Sequence, residues 1–270
     1  PKTQTARAVL ASWYSRYGVD EAADPSAATY CYPKKFELVG KDVVMIPSES
    51  LLNDLYEQHL GGNDRVSAEM LQELWSLLVA AFGCSRAARK AEISSNLRRE
   101  SRVKLLFKTP EFESDRLVRI LAASKGAGTD PLAVEKSEGW VTVTENKVKF
   151  GFDISKVMFC SGNCTERMRM GRVKCAGEII YDLYCGIGYY TVPLLYYGGA
   201  RHVYACEWNP NSVAALKSNL NYQRICSSRA TLIEGDNRVN VPQLQLRVDD
   251  AVVNSTTAVP VVAPGDRSYQ

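Results

Sequence analysis

Apolar residues recur along this chain at two spacings, and the change from one regime to another divides it. In SAEMLQELWSLLVAAFG, residues 67–83, Leu71, Leu74, Leu78 and Phe82 return every three or four positions, the period of a helix with one buried face. Ser67 is a capping residue type at the start and Gly83 a stop at the end. Earlier, TARAVLASWYSRYG is compatible with a helix, and the stretch after it to Pro33 reads as loop. FELVG and DVVMIP are short apolar runs separated by turn residues, which predicts a pair of strands. Phe112–Ala127 is of mixed polarity, and KGAGTDP reads as a loop. WVTVTENKVKFGFD alternates about an Asn-containing turn and predicts a hairpin.

Near Asp153–Lys156 the pattern changes. After a helix-compatible TERMRMGRV come IIYDLY, TVPLLYYGG, HVYACE, NPNSVAALKSNLNY and RATLIEGDN. That order is strand, helix, strand, helix, strand, at the spacing of α/β units with a parallel sheet. Asn209 is placed to cap the second of these helices, Pro210 suits its first turn, and Val213, Leu216 and Leu220 give it one apolar face. The fold class expected is α/β. A smaller N-terminal α+β domain over residues 1–155 precedes a Rossmann-like domain over residues 156–270.

Composition narrows the function classes. Of 270 residues, 46% are hydrophobic and 23% charged, enough for two small cores, and no apolar window reaches the length of a membrane span. No basic-then-apolar leader opens the chain, which starts at Pro1, so an intracellular, cytoplasmic protein is expected, processed or cut from a longer one. The eight cysteines lie inside patterned segments and read as thiols rather than staples. Cys160 and Cys164 lack the second pair or nearby histidine that a zinc site needs, so no metal is expected. Only His59 and His202 occur, and no paired carboxylates stand out, which leaves little support for a Ser-His-Asp hydrolase or a glycosidase. Net charge is +3, but its distribution is uneven. Residues 83–104 hold seven Lys/Arg against two Glu, and residues 166–174 hold four against one. Such stripes are either solvated faces or contacts to a phosphate backbone.

The chemistry concentrates at the ends of the predicted strands. An apolar strand ending in Asp182 opens into CGIGYYT at the carboxyl edge of a parallel sheet, where open α/β folds bind ligands. Gly186 and Gly188 allow a tight turn and a close approach of ligand to backbone. A dinucleotide fingerprint asks for a third glycine, and Thr191 stands there instead, which counts against a nicotinamide oxidoreductase. Glu207 ends the next strand and can accept hydrogen bonds from a ribose diol. Asp236 and Asn237 follow the third strand, where an acid and an amide can meet an adenine. The ligand these strand ends describe has a ribose and a base but need not carry a pyrophosphate, and S-adenosylmethionine fits. Its sulfonium makes each attached carbon an electrophile, so positioning supplies much of the rate. Asp182 either holds the cofactor's amino acid end or ribose, or simply closes its strand. Tyr189 and Tyr190 either stack on a substrate base or pack in the core.

At these residues the chain resembles a known family, the wybutosine-synthesising protein 2 group, relatives of the tRNA guanine-37 N1-methyltransferases. The resemblance lies in DLYCGIGYYTVPLL, in VYACEWNPNSVAALKSNL with EGDNR, in DISKVMFCSGNCTERMRMG, and in GCSRAARKAEI. It spans about Phe36 to Arg238. It implies transfer of the 3-amino-3-carboxypropyl group of S-adenosylmethionine to C7 of the tricyclic base at position 37 of tRNA(Phe), with tRNA rather than DNA or a membrane as partner. It implies cofactor contacts at Ser161, Arg167, Asp182, Gly186, Gly188, Glu207, Asp236 and Asn237. Arg86, Arg89 and Lys90 are implied as phosphate contacts, and Arg169 as an alternative to Arg167 for the cofactor's carboxylate or a tRNA phosphate. No catalytic residue is assigned. After Arg238 the family's later strands and its leucine-proline-serine segment are not matched. The expectation is a transferase domain incomplete at its C-terminus, with VDDAVV as one further strand and an exposed sheet edge. Two alternatives remain: methyl transfer to N1 of guanosine 37, and a catalytically silent tRNA-binding piece.

Overall fold

The computed structural model describes residues 2–17, 36–48, 50–62, 66–90, 100–124, 137–158, 161–242 and 244. It divides into two compact units, one of residues 1–143 and 153–158 and the other of residues 144–152 and 159–270. The hairpin thus contributes to both units, where its sequence pattern placed it wholly in the first.

In the first unit, β1 (Glu37–Val39) runs antiparallel to β2 (Val43–Ile46), which pairs in parallel with β3 (Arg86–Arg89). β4 (Lys104–Lys108) closes the sheet antiparallel to β3. A parallel pair needs a long crossover. Here it is made by α2 (Leu51–Leu60) and α3 (Ala68–Phe82). Ser67 Oγ accepts the Met70 N–H at 3.2 Å, and Gly83 at φ 63° ends α3, as the sequence predicts. Leu71, Leu74, Leu78 and Phe82 are buried on one face of α3. They share a core with Ala6, Leu10 and Trp13 of α1 (Lys2–Tyr17). The Arg-Ala-Ala-Arg run is not a helix face but the strand β3, with Ala87 and Ala88 fully buried. Helix α4 (Pro110–Ser124) follows β4. β5 (Trp140–Glu145) and β6 (Val148–Asp153) form the expected hairpin. Its corner residues Asn146 and Lys147 both take positive φ, 48° and 62°, the mark of the turn type that suits strand twist.

In the second unit, a short turn at Ser161–Asn163 leads into α5 (Cys164–Met170). Three parallel strands follow in spatial order: β7 (Ile179–Asp182), β8 (His202–Glu207) and β9 (Ala230–Glu234). The first crossover is compact, a single turn α6 (Thr191–Pro193) continued by a π turn over Leu194–Gly198. The second is α7 (Pro210–Tyr222), whose Asn209 cap accepts the Asn211 N–H at 2.9 Å. Val213, Leu216 and Leu220 are buried along α7. On β7, Ile179 and Tyr181 are 38% and 40% exposed, and Tyr181 stacks on Tyr204 of β8 with ring centres 5.3 Å apart. The VDDAVV segment lies outside the described residues.

Candidate functional site

The register of the second sheet sets Asp182 beside Ala205, and Glu207 beside Glu234, so all three strands end on the same edge. From Asp182 the chain turns through Cys185–Gly188, pinned by the Cys185 N–H to Cys206 O at 3.1 Å. Gly188 has φ 93°, and a Cβ there would stand 2.4 Å from Leu216 Cδ1 of α7. Gly186 has φ 54°, yet a Cβ there would meet nothing within 4 Å. One glycine therefore serves packing, and the other faces open space. Asn219, fully buried on α7, donates to Ile187 O at 2.8 Å and accepts the Gly151 N–H at 2.7 Å, which fixes the turn from behind.

Glu207 is held by three backbone N–H groups. Gly186 donates to its Oε2 at 2.9 Å, and Trp208 and Asn209 donate to its Oε1 at 2.8 Å each. A carboxylate offers about four lone-pair sites. The side chain is thus oriented with acceptor capacity left over. Asp182 accepts the Thr191 hydroxyl at 2.6 Å. Burial pushes the Asp182 carboxyl above its ordinary value, and the nearby Glu207 charge adds to this. Asn237 donates through Nδ2 to Leu183 O, and its Oδ1 is a buried acceptor without a donor among the described residues. Asp236 turns instead to Arg238, whose guanidinium holds the carboxyl below its ordinary value. Arg238 also lies 5.8 Å from the Trp208 ring centre. Asp182, Gly186, Glu207 and Asn237 therefore share one hydrogen-bonded edge. The arrangement offers aligned acceptors to hydroxyl and amine donors.

Other sequence-based candidates stand elsewhere. Arg167 is buried and gives both its Nε and Nη2 to Glu145 at 2.5 and 2.7 Å, with its guanidinium carbon 4.4 Å from the Tyr189 ring centre. That engagement, rather than a carboxylate clamp, accounts for its position. Tyr189 in turn packs on Phe150 with centres 5.2 Å apart. Arg169 is exposed and paired with Glu166 at 2.7 Å. Ser161 opens the short turn before α5, and Cys160 lies outside the described residues. Among the described residues no group of His, Cys, Asp and Glu is arranged to hold a metal.

In the first unit, Arg86 is a correction. Its side chain is 1% exposed and Nη1 donates to Glu138 O at 2.6 Å and Trp140 O at 2.9 Å, so it is not a surface phosphate contact. The guanidinium lies over the Phe112 ring, 4.3 Å from its centre, and reaches carbonyls more than fifty positions on, which a stripe count cannot register. Arg89 is paired with Glu57 at 2.6 Å and Lys90 with Glu37 at 2.9 Å. Sequence reading missed Thr191 and Asn219. The available signals were a hydroxyl where a third glycine was sought, and an amide between Leu216 and Leu220 on an apolar helix face.

Residues 141–259 match the TRM5/TYW2 methyltransferase domain. The chain is 31% identical over 225 residues to tRNA wybutosine-synthesizing protein 2/3/4 of Oryza sativa subsp. japonica, covering 83% of this chain and 18% of that protein. It is 35% identical over 166 residues to the human tRNA wybutosine-synthesizing protein 2 homolog, covering 62% and 31%. To the Danio rerio homolog it is 45% identical over 117 residues, covering 43% and 28%. The chain thus spans less than a third of the length of these relatives. Among solved structures, Pyrococcus horikoshii TYW2 in complex with MeSAdo superposes with a TM-score of 0.53 at 20% identity, covering 85% of this chain and 65% of that one. Trm5b from Pyrococcus abyssi superposes at 0.51 and 18% identity, covering 81% and 52%. These likenesses carry the fold.

Proposed function

We propose that the chain, whose residues 141–259 match the TRM5/TYW2 methyltransferase domain, binds S-adenosylmethionine at the three strand tips and takes part in aminocarboxypropyl transfer to tRNA(Phe). The acceptor is C7 of the tricyclic base at position 37, in wybutosine synthesis. The observation that carries this reading is the Glu207 carboxylate, oriented by the N–H groups of Gly186, Trp208 and Asn209. The names of the relatives support the choice of reaction. Pyrococcus horikoshii TYW2 was solved with MeSAdo.

The residues present fit this cofactor. Glu207 has spare acceptor capacity for the ribose hydroxyls, Gly186 leaves open space above the turn, and Asn237 Oδ1 lacks a donor, which an adenine amine would supply. When bound, the sulfonium supplies an electrophilic carbon without help from an acid or a metal. The chain's own part is to hold that carbon still, since orientation alone is worth several kcal/mol of barrier, of the order of 7–11. Asp182, buried and bonded to Thr191, keeps the turn in register with β7. Arg169 and the exposed residues after α5 are the surface proposed to meet RNA in the cytoplasm.

Methyl transfer to N1 of guanosine 37 is the second reading, favoured by a fold that superposes on Trm5 as well as on TYW2. Supplying S-adenosylmethionine together with tRNA carrying the tricyclic precursor distinguishes the two. Methylthioadenosine as product supports aminocarboxypropyl transfer, and S-adenosylhomocysteine assigns methyl transfer. Glu207→Ala is expected to weaken S-adenosylmethionine by tenfold or more in calorimetry, about 1.4 kcal/mol or above. Unchanged affinity removes Glu207 from the site.

A further inference from the structure

Within the first unit a cavity of about 550 Å³ is bordered by β3, α4 and β5, and the transferase reading gives it no role. Arg86 forms part of its wall. The Arg86 Nη1 is occupied by two carbonyls, but Nη2 reaches no acceptor within hydrogen-bond distance among the described residues, with Asp42 Oδ2 3.8 Å away. Its Nε is likewise buried without a partner. The guanidinium carbon lies 4.3 Å from the Phe112 ring centre, so the group is held in place. Burial lowers its pKa to about 10, which leaves it charged at neutral pH. Two further lining residues, Ser137 and Trp140, also carry buried polar atoms, Oγ and Nε1, without partners among the described residues. Most buried polar groups in folded proteins are satisfied, so a cluster of orphans calls for a missing partner.

The charges around the cavity say what kind. Arg116 and Arg119 line it with Arg86, but so do Asp42, Glu111 and Asp115. A polyanion would face three carboxylates. A lone anion on Arg86 would stand beside Asp42 and carry no cation of its own to engage that carboxylate. A molecule that carries a carboxylate and an ammonium together meets both signs. Phe112, Val118 and Val141 add apolar wall for a side chain. The volume lies within the range of about 300–1,000 Å³ usual for small-molecule sites.

We propose that this cavity binds a small zwitterion with an apolar side chain, an α-amino acid in chemical class, its carboxylate against Arg86 Nη2 and its ammonium toward Asp42. Calorimetric titration with L-leucine tests this, alongside isopentylamine, which lacks the carboxylate, 4-methylpentanoate, which lacks the ammonium, and inorganic phosphate. Leucine is expected to bind at least tenfold tighter than each of the others, a gap of about 1.4 kcal/mol. Asp42→Asn should weaken leucine by a similar factor and leave 4-methylpentanoate no weaker. Arg86→Lys should abolish the preference; if circular dichroism shows that this buried change prevents folding, the half-exposed Asp42 carries the test alone. Glu207→Ala should leave leucine binding intact, which separates this site from the cofactor site. No leucine binding at ~10 mM, where affinity would be weaker than about 3 kcal/mol, overturns the proposal. Equal binding of phosphate or 4-methylpentanoate, or indifference to Asp42→Asn, does so too.

Discussion

Two glycines one residue apart carry different loads. Gly188 has Leu216 where a Cβ would go, at 2.4 Å, and a φ of 93°. Gly188→Ala is therefore expected to destabilise the protein by about 1–3 kcal/mol through overpacking and backbone strain, read as a lower denaturant midpoint. Gly186 has only the φ penalty, since nothing lies within 4 Å of its Cβ position. Gly186→Ala should cost less stability and more S-adenosylmethionine affinity. If both variants lose the two properties in equal proportion, the division of roles is wrong. The GxG spacing was legible as a turn. Which glycine touches the packed helix and which faces the ligand depends on Leu216, about 28 positions on, whose approach no local pattern reports.

At the level of elements, the seam between β8 and β9 has a titratable clasp. His202 Nδ1 lies 3.0 Å from Ser228 O, which can only accept, so this nitrogen donates. Nε2 lies 2.9 Å from Thr231 Oγ1 and, in the neutral ring, accepts from that hydroxyl. The neutral form is thus fully bonded, and burial lowers the pKa below its ordinary 6.5. A base with a depressed folded pKa contributes stability that is complete above pH 6.5 and lost as pH falls toward the folded value. Denaturation of wild type and His202→Gln between pH 5 and 7.5 should show their difference shrinking as pH drops. A difference independent of pH would mean that the ring is not held neutral. The strands themselves were readable from alternation and from their spacing, as were α3 with its Ser67 cap and α7 with its Asn209 cap. The apolar pattern does not mark α2, β4 or α4, and it shows β3 only as a charged stripe. Arg-Ala-Ala-Arg has no apolar period of its own, and becomes a strand because β2 and β4 supply pairing on both sides.

For the molecule as a whole, the charge that matters is the charge left unengaged. Net charge is only +3, and Arg89 and Lys90 are matched by Glu57 and Glu37. Beyond α5, Arg172 and Lys174 are exposed. If tRNA is the partner, replacing Arg172 and Lys174 with Gln should lower the slope of log K against log salt by about 0.9 for each lost phosphate contact. Replacing Arg89 and Lys90 should change it less. Filter binding at several salt concentrations reads both, and the reverse ranking would restore the first stripe. Among the described residues no helix is long and apolar enough to cross a membrane.

The sequence by itself determined what depends on neighbours along the chain: the helical and extended periods, the caps, the glycine turn, and the α/β alternation that puts Asp182, Glu207 and Asn237 on one sheet edge. Tertiary structure alone decided where each polar group is spent. Arg86 turned inward to two carbonyls, Arg167 closed on Glu145, and Asn219 braced the turn from α7. The physical reason is that a backbone pattern is set within a few residues, whereas a charge or an amide is satisfied by whatever the folded chain brings within about 3 Å of it.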